Sequence, residues 1–512
     1  LDPQVDLWRQ QWQTRLPGQL RDTFLLLGGV AACTLVLGAG LGWLVTVYRF
    51  PGSQVLAWLL IAPLAMPSYV LGFVTLSVFG FTGPIQTWWR DVFGDGAWFP
   101  EVRSVGGAVV VFSLVLYPYV FVMTRAALHG RAGAAYDAAR SLGATPSRAA
   151  RRVVLPLIRP ALAAGVGIVM METLTDFATV QYFDVDTVSV GVFRIWRGRF
   201  DRDAASEFAT LVLVVALLVI GVERLLRGRA RYHDPSSGRH RIEPTRLTGV
   251  GAWAATLGCL SVLLLAFAAP VLRLATWAIA EARGDRGTPL LDRFVEYLGN
   301  SVLLAATTAG ICVVVAVLVT NATRFAPGRA TSWSARLTAV GYAVPGPVVA
   351  IGVVLALVAL DDVLGVVGLG LPGIVATGSM VGLVYAYTIR FLAPGLNAVE
   401  SGLAQVAPDV TASARSLGER PFGVLRRVHV PMMRSSMLTA AVLVAVDALK
   451  ELPIVLLLRP LGFDTLSVWT FGLATESRYE QAALPALTII AVALVPVAIL
   501  SRRLSAPAGG RS

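Results

Sequence analysis

Apolar runs of about 20 residues recur along the chain, separated by shorter polar segments. A helix of about that length crosses roughly 30 Å of hydrocarbon. The pattern therefore predicts transmembrane helices near 23–47, 55–80, 105–127, 160–181, 208–226, 249–280, 300–321, 336–360, 374–396, 435–457 and 482–501. Residues 1–22 instead place Leu7, Trp8 and Trp12 at helical spacing, which favours a helix lying on a membrane surface. We predict an all-α, polytopic membrane protein with about eleven transmembrane helices.

The composition agrees with that class. Of 512 residues, 56% are hydrophobic and only 14% are charged, with a mean hydropathy of +0.69. A soluble domain has about 25% charged residues. The net charge of +12 would favour nucleic-acid binding in a soluble protein. In a membrane protein, basic cytoplasmic loops explain it, so we expect the lipid bilayer and no nucleic acid as a partner.

The three cysteines do not indicate a disulfide framework. Cys33, Cys259 and Cys312 all lie inside apolar runs. The chain begins at Leu1 and shows no signal peptide. An odd number of spans would put residues 1–22 outside the cell. A further helix before Leu1 would bring the N-terminus back inside and the total to about twelve.

One polar segment occurs twice. Residues 138–159 read AARSLGATPSRAARRVVLPLIR, and residues 413–434 read SARSLGERPFGVLRRVHVPMMR. The copies align without a gap at a constant offset, 418 − 143 = 275. The matched residues are Gly143 and Gly418, Pro146 and Pro421, Arg151 and Arg426, Arg152 and Arg427, and Pro156 and Pro431.

The duplication extends beyond these segments. The stretch AMPSYVLG (65–72) is similar to AVPGPVVAIG (343–352), with Pro67 against Pro345. We predict two parallel halves, 1–226 with a loop at 129–159 and 249–512 with a loop at 397–434, joined by a polar linker at 227–248. The Arg-rich segments fall on one side of this topology and most acids on the other, which predicts that both loops are cytoplasmic.

The loops resemble the cytoplasmic signature of binding-protein-dependent ABC importer permeases. That signature is an acid-Ala-Ala triplet, a glycine and an apolar-x-Leu-Pro ending, and Asp137-Ala138-Ala139, Gly143 and Val153-x-Leu155-Pro156 match it. The second copy departs from it, because Ala412-Ser413-Ala414 lacks the acid and Val430-Pro431 replaces Leu-Pro. Two copies in one chain resemble a fused permease. Within that group, DFATVQYFDVDT (176–187) and LKELPIVLLLRPLGFDTL (449–466) resemble the ferric-iron importer permeases.

The resemblance implies a type I permease of the bacterial inner membrane that moves ferric iron from periplasm to cytoplasm by alternating access. Its implied partners are two copies of an ABC ATPase subunit and a periplasmic ferric-iron-binding protein. Each loop would seat a coupling helix on one ATPase. The residues that carry this expectation are Asp137, Ala139, Arg140, Gly143, Pro146, Arg151, Arg152, Pro156, Ala414, Arg415, Gly418, Pro421, Arg426, Arg427 and Pro431.

The residues also predict the local structure of each loop. Gly143 and Gly418 suit a helix C-cap with positive φ, and Pro146 and Pro421 can start a helix. Each loop is therefore predicted as helix, turn, short helix and turn, with the short helix available to a groove on a partner. The alternative is an ordinary basic juxtamembrane loop.

We predict no ATP site in this chain. A phosphate-binding P-loop needs a glycine-rich turn that ends in Lys-Ser or Lys-Thr. The sole lysine, Lys450, is followed by Glu451 within an apolar run. The chain is then not an enzyme and binds no cofactor, and ATP and magnesium bind to the partner subunits.

Ionisable residues inside the membrane form a second candidate site. Glu172 and Asp176 lie in the span after the first loop, and Asp447, Lys450 and Glu451 lie in the span after the second. These residues are predicted to line the translocation path or its gate. Pro67 and Pro345, which can break their spans, are predicted to do so as well. Carboxylates suit Fe³⁺, a hard cation. We expect no stable metal site, because conduction needs weak binding.

Several alternatives stay open at this stage. Lys450 could neutralise Asp447 or Glu451 and simply pin helices together. The cargo could be thiamine, a phosphonate or another small solute. A secondary transporter driven by an ion gradient, or a membrane scaffold or sensor without cargo, would also fit a polytopic chain.

Overall fold

The structure is a computed structural model. It describes residues 5–129, 131–199, 202–227, 242, 244–284, 287–326, 328–329, 331, 341, 344–366 and 378–505. Most of the predicted linker at 227–248 and the start of the predicted spans 336–360 and 374–396 lie outside the described residues. The described elements are helical except for two short strands, β1 (Tyr48–Arg49) and β2 (Thr245–Arg246), which pair in parallel.

The α-helices are numbered in chain order. From the N-terminus they are α1 Val5–Thr14, α2 Leu16–Val47, α3 Ser53–Leu59, α4 Ser68–Phe79, α5 Pro84–Phe93, α6 Val105–Leu128, α7 Arg131–Ser141, α8 Pro146–Ala149, α9 Leu155–Thr175, α10 Phe177–Tyr182, α11 Val188–Arg199 and α12 Arg202–Arg227. They continue with α13 Gly249–Leu263, α14 Ala269–Arg283, α15 Gly287–Phe325, α16 Gly346–Val366, α17 Met380–Ala404, α18 Pro408–Ser416, α19 Pro421–Val424, α20 Val430–Lys450, α21 Pro453–Leu458, α22 Leu466–Thr475 and α23 Tyr479–Ser505. A 3₁₀ turn covers Ala62–Ala65, and three π-helical turns cover Ala150–Val154, Leu264–Ala268 and Leu425–His429.

Within the described residues, ten helices are long and apolar enough to cross a membrane. Each corresponds to one of the eleven predicted spans. The span predicted at 374–396 corresponds to α17, which is helical but less apolar than the other ten because Arg390 and two tyrosines interrupt its apolar residues. The polytopic, all-α class is confirmed.

The chain folds into two compact units. The first comprises Leu1–Arg194, Val214–Arg283 and Leu473–Ser512, and the second comprises Ile195–Leu213 and Gly284–Gly472. These units do not coincide with the predicted halves, because the first unit includes α13, α14 and Leu473–Ser512, which belong to the predicted second half. The halves 1–226 and 249–512 stay a prediction about the duplication of the sequence.

Each unit is built on three helices that pack pairwise. They are α2, α6 and α9 in the first unit and α15, α17 and α20 in the second. Small residues let these helices approach closely, as is common in membranes. A Cβ added to Gly38 of α2 would lie 2.7 Å from the Cβ of Val120 in α6.

Helix caps repeat at the offset of the sequence duplication. Ser104 caps α6 by accepting a hydrogen bond from the Gly107 N–H at 3.2 Å, and Ser379 caps α17 by accepting one from the Gly382 N–H at 3.2 Å. A serine side chain at the N-cap accepts an N–H that would otherwise lack a partner. The helix α6 of the first unit and the helix α17 of the second therefore begin with the same serine cap.

A helix begins directly after each of the two prolines predicted to interrupt spans. Pro67 is extended, with ψ 138°, and its carbonyl accepts hydrogen bonds from Val70 and Leu71 at the start of α4. The Pro345 carbonyl accepts the equivalent bonds from Val348 and Val349 at the start of α16. The span predicted at 55–80 is therefore α3, a 3₁₀ turn and α4 rather than one helix. The N-termini of α4 and α16 both lie directly after these prolines.

Candidate functional site

The first turn in each predicted loop is a glycine C-cap. Gly143 has φ 85° and Gly418 has φ 86°, a conformation that a side chain disfavours. The N–H of Ala144 donates to Ala139 O at 3.0 Å, and the N–H of Glu419 donates to Ala414 O at 3.2 Å. These bonds satisfy the last carbonyls of α7 and α18. The predicted C-cap is confirmed at both positions.

The second predicted turn is wrong in both loops. The short helices α8 and α19 continue without a break through a π turn into the membrane helices α9 and α20. The N–H of Leu155 bonds to Ala150 O and that of Val430 bonds to Leu425 O, five residues back in each case. Proline in an α-helix collides with the carbonyl four residues back. Pro156 and Pro431 each lie two residues after the end of a π turn, and the wider turn accommodates the ring within a continuous helix.

A third π turn has the same arrangement. The N–H of Ala269 bonds to Leu264 O, and Pro270 follows. In the part of the chain that the structure describes, each π turn thus precedes a proline, which supports this explanation.

The predicted basic residues of both loops are exposed. They are Arg140, Arg151, Arg152, Arg415, Arg426 and Arg427. Arg140 donates to Ala144 O at 2.6 Å, and Arg427 pairs with Glu419 at 2.5 Å. Ala139, Ala414 and Asp137 are half-buried, whereas Pro146, Pro156, Pro421 and Pro431 are exposed.

Sequence reasoning missed the most exposed apolar side chains of the loops. Leu142 is 89% exposed and Leu417 is 86% exposed, each directly before the C-cap glycine. They occupy the same position of the duplication, which is the observation that could have identified them. An exposed leucine conserved between the two copies has no packing role within the chain. It is available to a partner.

Tyr136 anchors the first loop. It is buried and packs edge-on against Trp43 of α2, with ring centroids 5.4 Å apart. Burial raises the pKa of the Tyr136 phenol above its ordinary value, so the hydroxyl stays protonated.

Two of the predicted intramembrane carboxylates cap short helices. Asp176 accepts from the Thr179 N–H at 2.8 Å and from the Thr179 hydroxyl at 2.7 Å, and it also accepts from the Ser68 hydroxyl. Glu451 lies at the same place in the second copy and accepts from the Ile454 N–H at 3.2 Å. A carboxylate at a helix N-terminus is stabilised by the helix dipole and by the free N–H groups.

Glu172 and Asp447 lie one turn earlier on α9 and α20, and Lys450 directly precedes Glu451. Lys450 Nζ lies 3.0 Å from Asp447 Oδ1, three residues apart on α20, so the ion pair that sequence analysis left open as an alternative is present. Glu172 is half-buried on α9, at the position that aligns with Asp447. Among the residues that the structure describes, no group of three or more His, Cys, Asp or Glu side chains is arranged to hold a metal ion.

Comparison with known proteins gives the class. Residues 35–231 match the family described as "Binding-protein-dependent transport system inner membrane component". The chain is also 34% identical over 205 residues to the sulfate transport system permease protein CysW of Escherichia coli, a match that covers 38% of this chain and 67% of the relative. The chain belongs to this family, and the predicted resemblance to ABC importer permeases is confirmed. It is a multi-pass component of the inner membrane with a type I permease fold.

Two further relatives match most of the chain. The Fe(3+)-transport system permease protein FbpB 2 of Haemophilus influenzae is 23% identical over 497 residues, covering 96% of this chain and 91% of the relative. The ferric transport system permease protein FbpB of Actinobacillus pleuropneumoniae is 23% identical over 446 residues, covering 82% of this chain and 62% of the relative.

Proposed function

We propose that this chain is the fused, membrane-spanning permease of an ATP-driven importer whose cargo is ferric iron. The observation that carries the cargo is the extent of similarity. The match to the Fe(3+)-transport permease covers 96% of this chain, whereas the match to the sulfate permease covers 38%. An alignment over nearly the whole chain, rather than over part of it, is what supports the iron cargo.

The mechanism is alternating access driven from the cytoplasm. The first docking loop (129–159) and the second docking loop (397–434) each seat one copy of an ATPase subunit, which binds ATP and magnesium. The exposed leucines Leu142 and Leu417 and the exposed arginines beside them support this role, because an apolar anchor within a charged rim is typical of protein interfaces. A periplasmic ferric-iron-binding protein delivers the cargo on the opposite side.

Glu172 and Asp447 are the proposed path-lining carboxylates. They occupy equivalent positions of the duplication, and both side chains are half-buried. The chain belongs to a family of transport proteins, which supports a place on the path. Asp176 and Glu451 have a different proposed role. Each accepts a backbone N–H at the N-terminus of its own short helix, and Asp176 also accepts from Ser68, next to Pro67, so both acids are proposed to stabilise these helix ends.

Sulfate is the second candidate cargo, because the sulfate permease has the higher identity over the aligned segment, 34%. The two cargoes differ in charge, so one experiment separates them. The permease would be co-purified with its ATPase, reconstituted in proteoliposomes and supplied with a loaded ferric-iron-binding protein or a loaded sulfate-binding protein. Uptake of labelled iron that requires ATP is the expected result. Uptake of labelled sulfate alone would overturn the iron assignment.

The path assignment has its own test. The double variant Glu172→Gln, Asp447→Asn is expected to lower iron uptake at least about tenfold with normal expression, since both hard oxygen charges at the path are removed. Uptake at the wild-type rate would remove these residues from the path. The same vesicles with a proton or sodium gradient but no ATP test the secondary-transporter alternative, for which we expect no uptake.

A further inference from the structure

His429 lies in the second docking loop and is fully buried at the end of its π turn. Its Nδ1 is 2.5 Å from Asn321 Oδ1 on α15, and its Nε2 is 3.0 Å from Thr411 Oγ1 on α18. The ring also stacks on Phe325, with centroids 5.6 Å apart. One imidazole thus joins the first helix of the docking loop to a membrane helix.

The orientation of the Asn321 amide places a proton on one imidazole nitrogen of this bridge. The Asn321 Nδ2 donates to Val317 O at 2.8 Å, so the Asn321 Oδ1 is the atom that faces His429. Because that oxygen only accepts, His429 Nδ1 must carry a proton. The Nε2 of a neutral ring then accepts from the Thr411 hydroxyl. Every polar atom of the imidazole is satisfied, as a buried polar group requires.

The equivalent positions of the first docking loop hold different residues. At the offset of the duplication, Val154 takes the place of His429 and Tyr136 takes the place of Thr411. Tyr136 instead packs edge-on against Trp43 of α2. Aromatic packing tolerates sliding and rotation more readily than a hydrogen bond, whose strength falls steeply with angle. At these equivalent positions the two loops therefore contact their membrane helices by different physical means.

We propose that His429 is a positioning residue that locks the second docking loop to α15, so that this helix follows the loop when the loop moves. This rests on the proposed function, in which an ATPase subunit moves both docking loops. The equivalent contact of the first loop is the packing of Tyr136 on Trp43, which leaves Tyr136 more freedom to move relative to α2. The two docking sites are then unequal, and coupling depends more strictly on the second.

Hydrogen–deuterium exchange of the purified permease in nanodiscs tests the attachment without any partner. His429→Val, which installs the residue of the first loop, is expected to speed amide exchange across 408–418 by about tenfold, because two buried hydrogen bonds are lost. Exchange across 131–143 should not change. His429→Gln keeps a donor and an acceptor and should stay within about threefold of wild type.

Thr411→Val is the second variant, since it removes one hydroxyl with little change of shape. It should also speed exchange across 408–418, and adding it to His429→Val should have no further effect. Tyr136→Phe in the first loop is the matched control and should leave 408–418 unchanged. Unchanged exchange at 408–418 in both His429→Val and Thr411→Val would overturn the attachment.

The coupling role is measured in the reconstituted complex with the ATPase and the loaded binding protein. The amount of iron moved per ATP hydrolysed should fall about threefold or more in Thr411→Val and His429→Val, and should recover in His429→Gln. A ratio equal to wild type despite faster exchange would overturn the coupling role. If the wild-type complex moves no iron, the proposed function fails, and the exchange measurement still decides whether His429 holds the loop.

Discussion

The hydroxyl of Ser68 donates a hydrogen bond to the carboxylate of Asp176, and this contact joins the N-terminal ends of α4 and α10. In the second copy, Gly346 and Glu451 take these two positions. A Cβ added to Gly346 would lie 3.1 Å from Glu451 Oε1. The longer acid therefore occupies the space that the serine side chain fills in the first copy. The first copy combines the shorter acid, Asp176, with a serine, and the second copy combines the longer acid, Glu451, with a glycine.

We therefore predict that the residues of one pair can replace those of the other only when both are changed together. Ser68→Gly removes a donor to Asp176, and Asp176→Glu pushes a longer side chain towards Ser68. Each single variant is expected to lower the free energy of unfolding by about 1 kcal/mol, the size of a lost cap. The double variant copies the second junction and should lie within about 0.5 kcal/mol of wild type. Thermal unfolding of the purified protein in detergent measures this.

Ser77 provides the control for that exchange. It lies on the same helix, α4, but its hydroxyl donates to Val74 O rather than to the carboxylate. Ser77→Gly and Asp176→Glu should therefore have additive effects on unfolding. If Ser68→Gly and Asp176→Glu were additive as well, the two residues would not be coupled.

The duplication made much of this arrangement predictable. The constant offset of Gly143 and Gly418 indicated equal turns, and the structure gives both a left-handed backbone. Helical spans followed from the length of the apolar runs. The pairing of Asp176 with Ser68 was not predictable, because it depends on how α4 packs against α10, 108 residues apart in sequence.

Local sequence rules failed where a proline met a π turn. Proline disfavours a helix interior, yet α8 and α19 continue into α9 and α20 past Pro156 and Pro431. The sequence alone does not indicate that a helical turn can widen to a π turn, with hydrogen bonds five residues apart, instead of ending the helix. Likewise, nothing local distinguishes His429 from an exposed loop histidine. Its burial depends on Asn321 and Thr411, which come from other elements.

Substitution of the C-cap glycines should loosen the docking loops. Gly143→Ala places a Cβ on a left-handed backbone, which costs about 1 kcal/mol, and Gly143→Asn should cost less. The amides of Gly143 and Ala144, which donate to the end of α7, should then exchange about fivefold faster in the alanine variant. The same comparison applies at Gly418.

Gly310 offers a control of opposite sign. It lies inside α15, and no atom lies within 4 Å of where its Cβ would be. Gly310→Ala should stabilise the protein by up to about 1 kcal/mol, because alanine loses less backbone entropy in a helix. A similar gain at Gly143 would contradict the role of its backbone conformation.

The exposed leucines of the loops should matter for binding but not for stability. Leu142→Ser and Leu417→Ser remove side chains that are almost fully exposed, so thermal unfolding should not change. If each leucine anchors an ATPase subunit, each substitution should weaken binding by about tenfold. Surface plasmon resonance with the immobilised permease measures the affinity. Leu461→Ser removes an exposed leucine outside both loops and should leave the affinity unchanged.

The ion pair of Lys450 with Asp447 should be more sensitive to the loss of one partner than to the loss of both. Both side chains are about a quarter exposed, at 27% and 29%, so an uncompensated charge there is poorly solvated. Lys450→Thr, which installs the residue found at Thr175 in the first copy, should lower the free energy of unfolding by about 1–2 kcal/mol. The double variant Lys450→Thr, Asp447→Asn should recover at least about half of that loss, because it removes the unpaired charge. Arg478→Gln, in the exposed pair with Glu476, is the control and should change stability by less than about 0.5 kcal/mol.

Iron uptake by the double variant then separates the two roles of Asp447. Uptake near wild type assigns Asp447 to holding α20. Uptake that is lost despite recovered stability assigns it to the path.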